Sequence, residues 1–115
     1  MLLLLRAGEV LLEKRPPTGV WGGLWSLPEM PLNVDPGEYC RRRFGSKIAG
    51  VERLPLLRHE FTHFALKIAP LVCRLDSASP CAAEPGQVWL LLDEAEKAAI
   101  PAPVRKLLVV ALRSG

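Results

Sequence analysis

The chain has 115 residues, half of them apolar, and its 15 Lys/Arg against 12 Asp/Glu give a net charge of +3. That length supports one domain with a real core, and it holds no apolar run near the ~18 residues of a membrane-spanning helix. The charge is mild but uneven, 11 Lys/Arg against 7 Asp/Glu over residues 1–74 and 4 against 5 over residues 75–115, which permits nucleic-acid contact without demanding it.

Leu2–Leu5 and Val10–Glu13 are short apolar runs on either side of Arg6-Ala7-Gly8-Glu9. Gly8 can supply a positive φ, so the stretch predicts a β-hairpin. The first run is too short for a signal-peptide core and lacks a basic start. Pro16 and Pro17 end the second strand, since proline cannot donate to a ladder. Lys14 and Arg15 at that end are either a solvated strand terminus or candidate phosphate contacts.

Residues 16–37 predict a long irregular stretch, punctuated by Gly19, Gly22, Gly23 and five prolines. Such a segment is usually functional or folded over the core, and Trp21, Leu24, Trp25 and Leu27 favour the core. Asp35-Pro36-Gly37-Glu38 predicts a helix start, with Asp35 as cap and Pro36 in the first turn, and Gly45 predicts its stop. Arg41, Arg42 and Arg43 are consecutive, so they fan around that helix and suit its C-terminal dipole.

Two further strands are expected over Ile48–Leu57 and Phe64–Leu75, with Pro70 at a bulge or edge position. Between them lies Arg58-His59-Glu60-Phe61-Thr62-His63-Phe64, which holds both histidines of the chain. Phe61-Thr62-His63 reads as a turn or strand entry that brings together a flat aromatic, a hydroxyl and a cation-capable ring. Such a set can stack on a base, hydrogen-bond its edge and touch a phosphate; the alternative is phenylalanines packing in the core with His at the edge. Asp76–Gln87 predicts a polar loop, the segment best suited to disorder. Val88–Leu92 predicts a short buried strand, followed by a helix capped by Asp93. A last helix starts at Pro103, with Val104, Leu107, Leu108, Ala111 and Leu112 on one face. The fold class is α+β, helices packed on a mixed or antiparallel sheet. Cys40, Cys73 and Cys81 are odd in number and form no C-x-x-C pair, which excludes zinc and redox-motif readings and fits reduced cytosolic thiols.

The pattern His59-x-Phe61-Thr62-His63-Phe64 resembles the Phe-Ser-His loop in the C-terminal domain of MutY-type adenine DNA glycosylases. Two other stretches match in order: Val10–Pro16 followed by Gly19–Glu29, and Ile100–Leu108. Together the three cover most of the chain. The departure is Thr62 where the family usually has Ser, which keeps the hydroxyl and adds a methyl. The resemblance implies a Nudix-like fold and a single domain over residues 1–115, excised from a longer protein whose N-terminal helical domain carries base removal and an iron–sulfur cluster. It implies no cofactor in this chain. It also implies duplex DNA with 8-oxoguanine opposite adenine and the glycosylase domain as partners, and a cytoplasmic, nucleoid-associated, bacterial setting. By the same resemblance Thr62 reads the damaged edge, Phe61 wedges beside the base, and His63 holds a phosphate or orients the loop. Arg58 and His59 join Lys14 and Arg15 as candidate phosphate contacts.

A working Nudix hydrolase gathers glutamates on one helix to hold divalent cations against a pyrophosphate, because hard ions need clustered carboxylates. The helix in that position here offers Glu38 and then Arg41, Arg42, Arg43 and Lys47. There is no serine–histidine–acid set with supporting turn residues and no phosphate-cradling glycine loop. His59 and His63 are four apart, but in an extended stretch they are not a helical metal pair. The expectation is recognition without catalysis. The alternatives are a Nudix-type nucleotide pyrophosphohydrolase and a protein-interaction module built on the Trp-rich loop or the Asp76–Gln87 loop.

Overall fold

The leucine run becomes β1 (Leu2–Arg6) and turns back into β2 (Glu9–Lys14), antiparallel through Leu5↔Val10 and Arg6↔Glu9. The computed structural model describes residues 1–45, 47–76 and 83–114. The turn of this expected hairpin uses Ala7 (φ 51°) as well as Gly8 (φ 80°), the left-handed pair that matches strand twist in two-residue hairpins. The stretch expected to be irregular contains a two-residue strand, β3 (Trp25–Ser26), paired with Glu13 and Lys14 of β2. Two residues leave no alternation to read in a sequence, and the order comes from the partner strand.

Helix α1 (Pro36–Phe44) forms as its caps dictate. The Asp35 carboxylate accepts the Glu38 N–H at 3.0 Å, and Gly45 ends the helix at φ 64°. Beyond it, each of the two expected long strands divides in two. Ile48–Leu57 gives β4 (Ile48–Arg53) and the start of β5 (Leu57–Glu60), while Phe64–Leu75 gives β6 (Ala65–Ile68) and β7 (Leu71–Leu75). Pro55 and Pro70 lie at the breaks, where a missing N–H interrupts a ladder, and the Leu54 N–H reaches the Pro70 carbonyl at 3.1 Å across the gap. The result is two sheets, the smaller made of β5 and β6 alone.

Half of the polar loop expected over Asp76–Gln87, residues 77–82 with Cys81 among them, lies outside the described residues. Strand β8 (Gln87–Leu91) pairs antiparallel with β2. It is half-buried rather than buried, with Leu91 46% exposed. Helix α2 (Leu92–Glu96) begins one residue before the expected cap. Asp93 sits inside its first turn and accepts the Glu94 N–H at 2.9 Å, while Leu91 takes the cap position without a side-chain hydrogen bond. Helix α3 (Ala102–Ser114) buries Val104, Leu107, Leu108 and Ala111 as expected, whereas Leu112 turns outward, 38% exposed.

The large sheet runs β3-β2-β1-β7-β4, with β8 also on β2. It is mixed because β1 and β7 are parallel, Leu2↔Leu71 through Leu5↔Arg74. β1 is central and covered on both faces, which is why Leu2–Leu5 reads as an unbroken apolar run. Leu3, Leu5, Val10 and Leu12 pack against Ala95, Val104 and Leu108 of α2 and α3. Leu2, Leu4, Leu11 and Leu71 pack against α1 around Cys40 and Tyr39. Cys40 of α1 and Cys73 of β7, 33 positions apart in sequence, meet in this second layer as buried free thiols. The Cys40 thiol is held well above its ordinary range, first by its hydrogen bond with Cys73 and then by burial.

Candidate nucleic-acid interface

The β5–β6 hairpin carries the stretch singled out in the sequence. Its register is Leu57↔Ile68, Arg58↔Lys67, His59↔Leu66 and Glu60↔Ala65, which makes Phe61 and Phe64 the next pair. The Phe61 N–H donates to the Phe64 carbonyl at 2.7 Å and closes the tip. The expected turn is therefore real and spans four residues, with Thr62 and His63 exposed at its apex. Alternation sends Leu57, His59, Leu66 and Ile68 toward the core and leaves Arg58, Glu60 and Lys67 in solvent.

The inner face of the tip is an aromatic cluster. Phe61 and Phe64 stack with centroids 4.5 Å apart and planes 20° from parallel. His59 meets Phe61 edge-on at 4.7 Å and 79°. Trp21, from the loop after β2, stands 5.9 Å from Phe61 and 6.0 Å from His59. Phe61 is half-buried among these rings, while Phe64 remains 49% exposed. The core reading of the tryptophans holds, because Trp21 and Trp25 both pack against the α2–α3 side of the core. Sequence reasoning missed that Trp21 also touches the hairpin, and that Phe64 is the more exposed of the two stacked rings. The register of an antiparallel hairpin is the signal that pairs Phe64 with Phe61.

The loop that delivers Trp21 is tightly folded. Arg15 and Gly23 donate their backbone N–H groups to Leu24 and Pro16 carbonyls at 2.9 Å each. A Cβ on Gly22 would stand 2.7 Å from the Pro17 carbonyl oxygen, so only glycine fits that approach. Trp21 itself sits at φ 56°, a region that costs a bulky residue strain.

The candidate cations differ in how they are held. Arg15 donates from Nε to the Val20 carbonyl at 3.0 Å and pairs with Glu29 at 3.3 Å, so its guanidinium braces the Trp21 loop. Lys14 is exposed, its ammonium 5.6 Å from the Trp25 ring centroid. Arg58 makes an exposed pair with Glu60 at 3.2 Å, an interaction weak enough to yield to a phosphate. His59 faces Trp21 and Phe61 instead of solvent.

A separate polar cavity of about 330 Å³ lies where the end of β2 meets α1, lined by Glu13, Lys14, Ser26, Glu29, Tyr39 and Arg43 among others. Arg43 reaches from α1 to pair with Glu13, whose carboxylate also accepts from Gln87 at 2.8 Å. Ser26 is 1% exposed and its hydroxyl has no hydrogen-bond partner among the described residues. Among the described residues no three His, Cys, Asp or Glu side chains gather where they could hold a metal ion.

The NUDIX domain family model matches residues 1–109. The chain is 30% identical over 110 residues to an adenine DNA glycosylase of Mus musculus, covering 85% of this chain and 21% of that protein. It is 24% identical over 107 residues to the adenine DNA glycosylase of Buchnera aphidicola subsp. Baizongia pistaciae (strain Bp), covering 93% and 30% respectively. The chain thus spans less than a third of the length of these curated relatives. In three dimensions it resembles the C-terminal domain of mouse MUTYH, solved in complex with human PCNA, with a TM-score of 0.75 at 24% identity over 99% of this chain and 87% of that one.

Proposed function

The chain belongs to the NUDIX domain family, and from that premise we propose that it is the DNA-recognition domain of an adenine DNA glycosylase, one that recognises 8-oxoguanine opposite adenine. Base removal in this reading belongs to a separate catalytic domain of the parent protein, which also carries any iron–sulfur cluster. The observation that supports it most is the tip of the β5–β6 hairpin. Thr62 and His63 stand exposed at its apex, beside a stacked pair of phenylalanine rings. The curated relatives named as adenine DNA glycosylases point the same way.

The chemistry of the lesion suits this tip. 8-Oxoguanine differs from guanine by an oxygen at C8 and by N7 becoming a donor. The Thr62 hydroxyl both donates and accepts, so it can answer either change. His63 follows it and can meet a backbone phosphate, and the phenylalanine pair supplies a stacking surface that is indifferent to base identity. Arg58 lies on the outer face of the same hairpin.

Family membership alone would equally suggest nucleotide pyrophosphate hydrolysis. The residues of α1 argue against it. Divalent cations need clustered carboxylates, and this helix carries Glu38, already paired with Arg42, followed by three arginines. The cavity beside it is crossed by the Arg43–Glu13 pair.

Fluorescence anisotropy at low ionic strength tests the reading, using the 115-residue chain and matched duplexes that differ only in 8-oxoguanine or guanine opposite adenine. Tighter binding to the 8-oxoguanine duplex is expected. Equal affinity for the two would overturn it.

A further inference from the structure

We infer that Phe64 is the residue whose ring stacks on a base of the duplex, with Phe61 as the ring behind it; this rests on the DNA-recognition reading above. Phe61 is committed on several sides. His59 meets its edge, Trp21 tilts against it, and Phe64 covers a face. Phe64 has one ring neighbour among the described residues, Phe61, and belongs to neither apolar core layer. Its 49% exposure leaves a large aromatic surface in water at the tip of a hairpin, a cost that packing within the chain does not offset.

The geometry selects the occupant. Two rings within 20° of parallel at 4.5 Å form a stack that a third flat π-system extends. A base has such a face, whichever base it is. The surroundings suit a nucleic acid better than an apolar protein surface. Thr62 and His63 are exposed beside Phe64, and Arg58 and Lys67 lie opposite each other on the outer face of the same hairpin. The rings behind Phe61 hold the stack in place before a ligand arrives, so little ordering remains to be done on binding. Thr62 then reads the edge of a base whose neighbour is held by Phe64.

The test replaces the ring and keeps the bulk. Phe64→Leu preserves an apolar side chain at the tip, and Phe64→Trp enlarges the π-face. Thermal unfolding is measured alongside DNA affinity for the 115-residue chain. Phe64→Leu is expected to bind both the 8-oxoguanine and the guanine duplex about tenfold more weakly. The preference between them and the salt dependence should stay unchanged, because stacking senses neither the base edge nor the phosphate. Phe64→Trp should bind both at least as tightly as the wild type. Wild-type affinity in a folded Phe64→Leu overturns the inference; if that variant unfolds, a tenfold loss in folded Phe64→Trp overturns it instead. The two readings separate cleanly. A wild-type chain without preference for 8-oxoguanine defeats the lesion reading while a ring effect on both duplexes still supports Phe64. Absence of binding to any duplex overturns both.

Discussion

Trp21 and Phe61 lie 5.9 Å apart although forty positions separate them in the chain. Through this contact the loop after β2 and the β5–β6 hairpin act as one unit. Among the described residues the small sheet has no strand pairing with the large one, so its orientation depends on Leu57, His59, Leu66 and Ile68 below and on Trp21 at the tip. The positive φ of Trp21 is strain of roughly 1–3 kcal/mol, accepted in exchange for placing the indole there.

Trp21→Ala is expected to destabilise the chain by about 1–3 kcal/mol, less than the ~3–5 kcal/mol of a fully buried aromatic, because Trp21 is half-buried. Its sharper consequence is local. The Phe61 amide, hydrogen-bonded to the Phe64 carbonyl at 2.7 Å, should exchange with solvent faster by more than the global loss of stability accounts for. Amide exchange measured at Phe61 and at a β1 residue such as Leu4 decides it. Equal acceleration at both would mean that the tryptophan supports the whole fold and not the tip.

Gly22→Ala probes the same loop from the backbone. The added methyl would meet the Pro17 carbonyl at 2.7 Å, and a backbone atom cannot move aside as a side chain can. A loss of about 1–3 kcal/mol is expected, the usual cost of overpacking. Denaturant unfolding with an unchanged midpoint would show that the Pro16–Leu24 loop rearranges freely.

Leu108 is fully buried on the core face of α3. Leu108→Ala should cost ~2–5 kcal/mol, read as a lowered thermal midpoint. A midpoint within a degree of the wild type would contradict the packing of α3 on the sheet.

The elements with local chemical signatures were legible in the sequence. The hairpin turn at Gly8, the α1 caps at Asp35 and Gly45, and the buried stripe of α3 all follow from one stretch of chain. What escaped depends on pairing between distant stretches. The two-residue β3 exists because Glu13 and Lys14 hold it. The break of two long strands into four follows from Pro55 and Pro70, each without an N–H for the ladder, lying at one gap that the Leu54 N–H bridges to the Pro70 carbonyl, which neither proline announces alone. Asp93 looked like a cap, but β8 runs straight into α2 and leaves the cap position to Leu91. In the candidate site, the tip residues were visible as a cluster of residue types. The inward turn of His59 against Phe61 and Trp21 was not, because facing depends on register.

The chain is expected to turn over no nucleotide on its own. Incubation with magnesium and a panel of nucleoside triphosphates, including the 8-oxo-purine form, is the direct test. Turnover near ~1 per minute that survives repurification, against the ~10 per second of a typical enzyme, would defeat the recognition reading despite the arginines of α1.

The remaining prediction concerns the base edge. Thr62→Ala removes a hydroxyl from an exposed apex and leaves the Phe61–Phe64 closure and the aromatic cluster in place, so stability should change by less than about 0.5 kcal/mol. Binding to a duplex with 8-oxoguanine opposite adenine should weaken by about 1–2 kcal/mol, the scale of one hydrogen bond to a base. Binding to guanine opposite adenine should barely move, since guanine lacks both the oxygen at C8 and the donor at N7. His63→Ala gives the contrasting pattern. It should weaken both duplexes together and flatten the dependence of affinity on salt, as expected for a residue that meets a phosphate as a cation. The ratio of the two affinities is the quantity to compare. It should fall about five- to thirtyfold for Thr62→Ala, the equivalent of that energy, and stay constant for His63→Ala. A folded Thr62→Ala protein with the wild-type ratio would show that the hydroxyl is not the reader. Discrimination would then have to come from a backbone group of the tip, and Thr62→Pro, which removes the Thr62 N–H donor, would be the next substitution to measure.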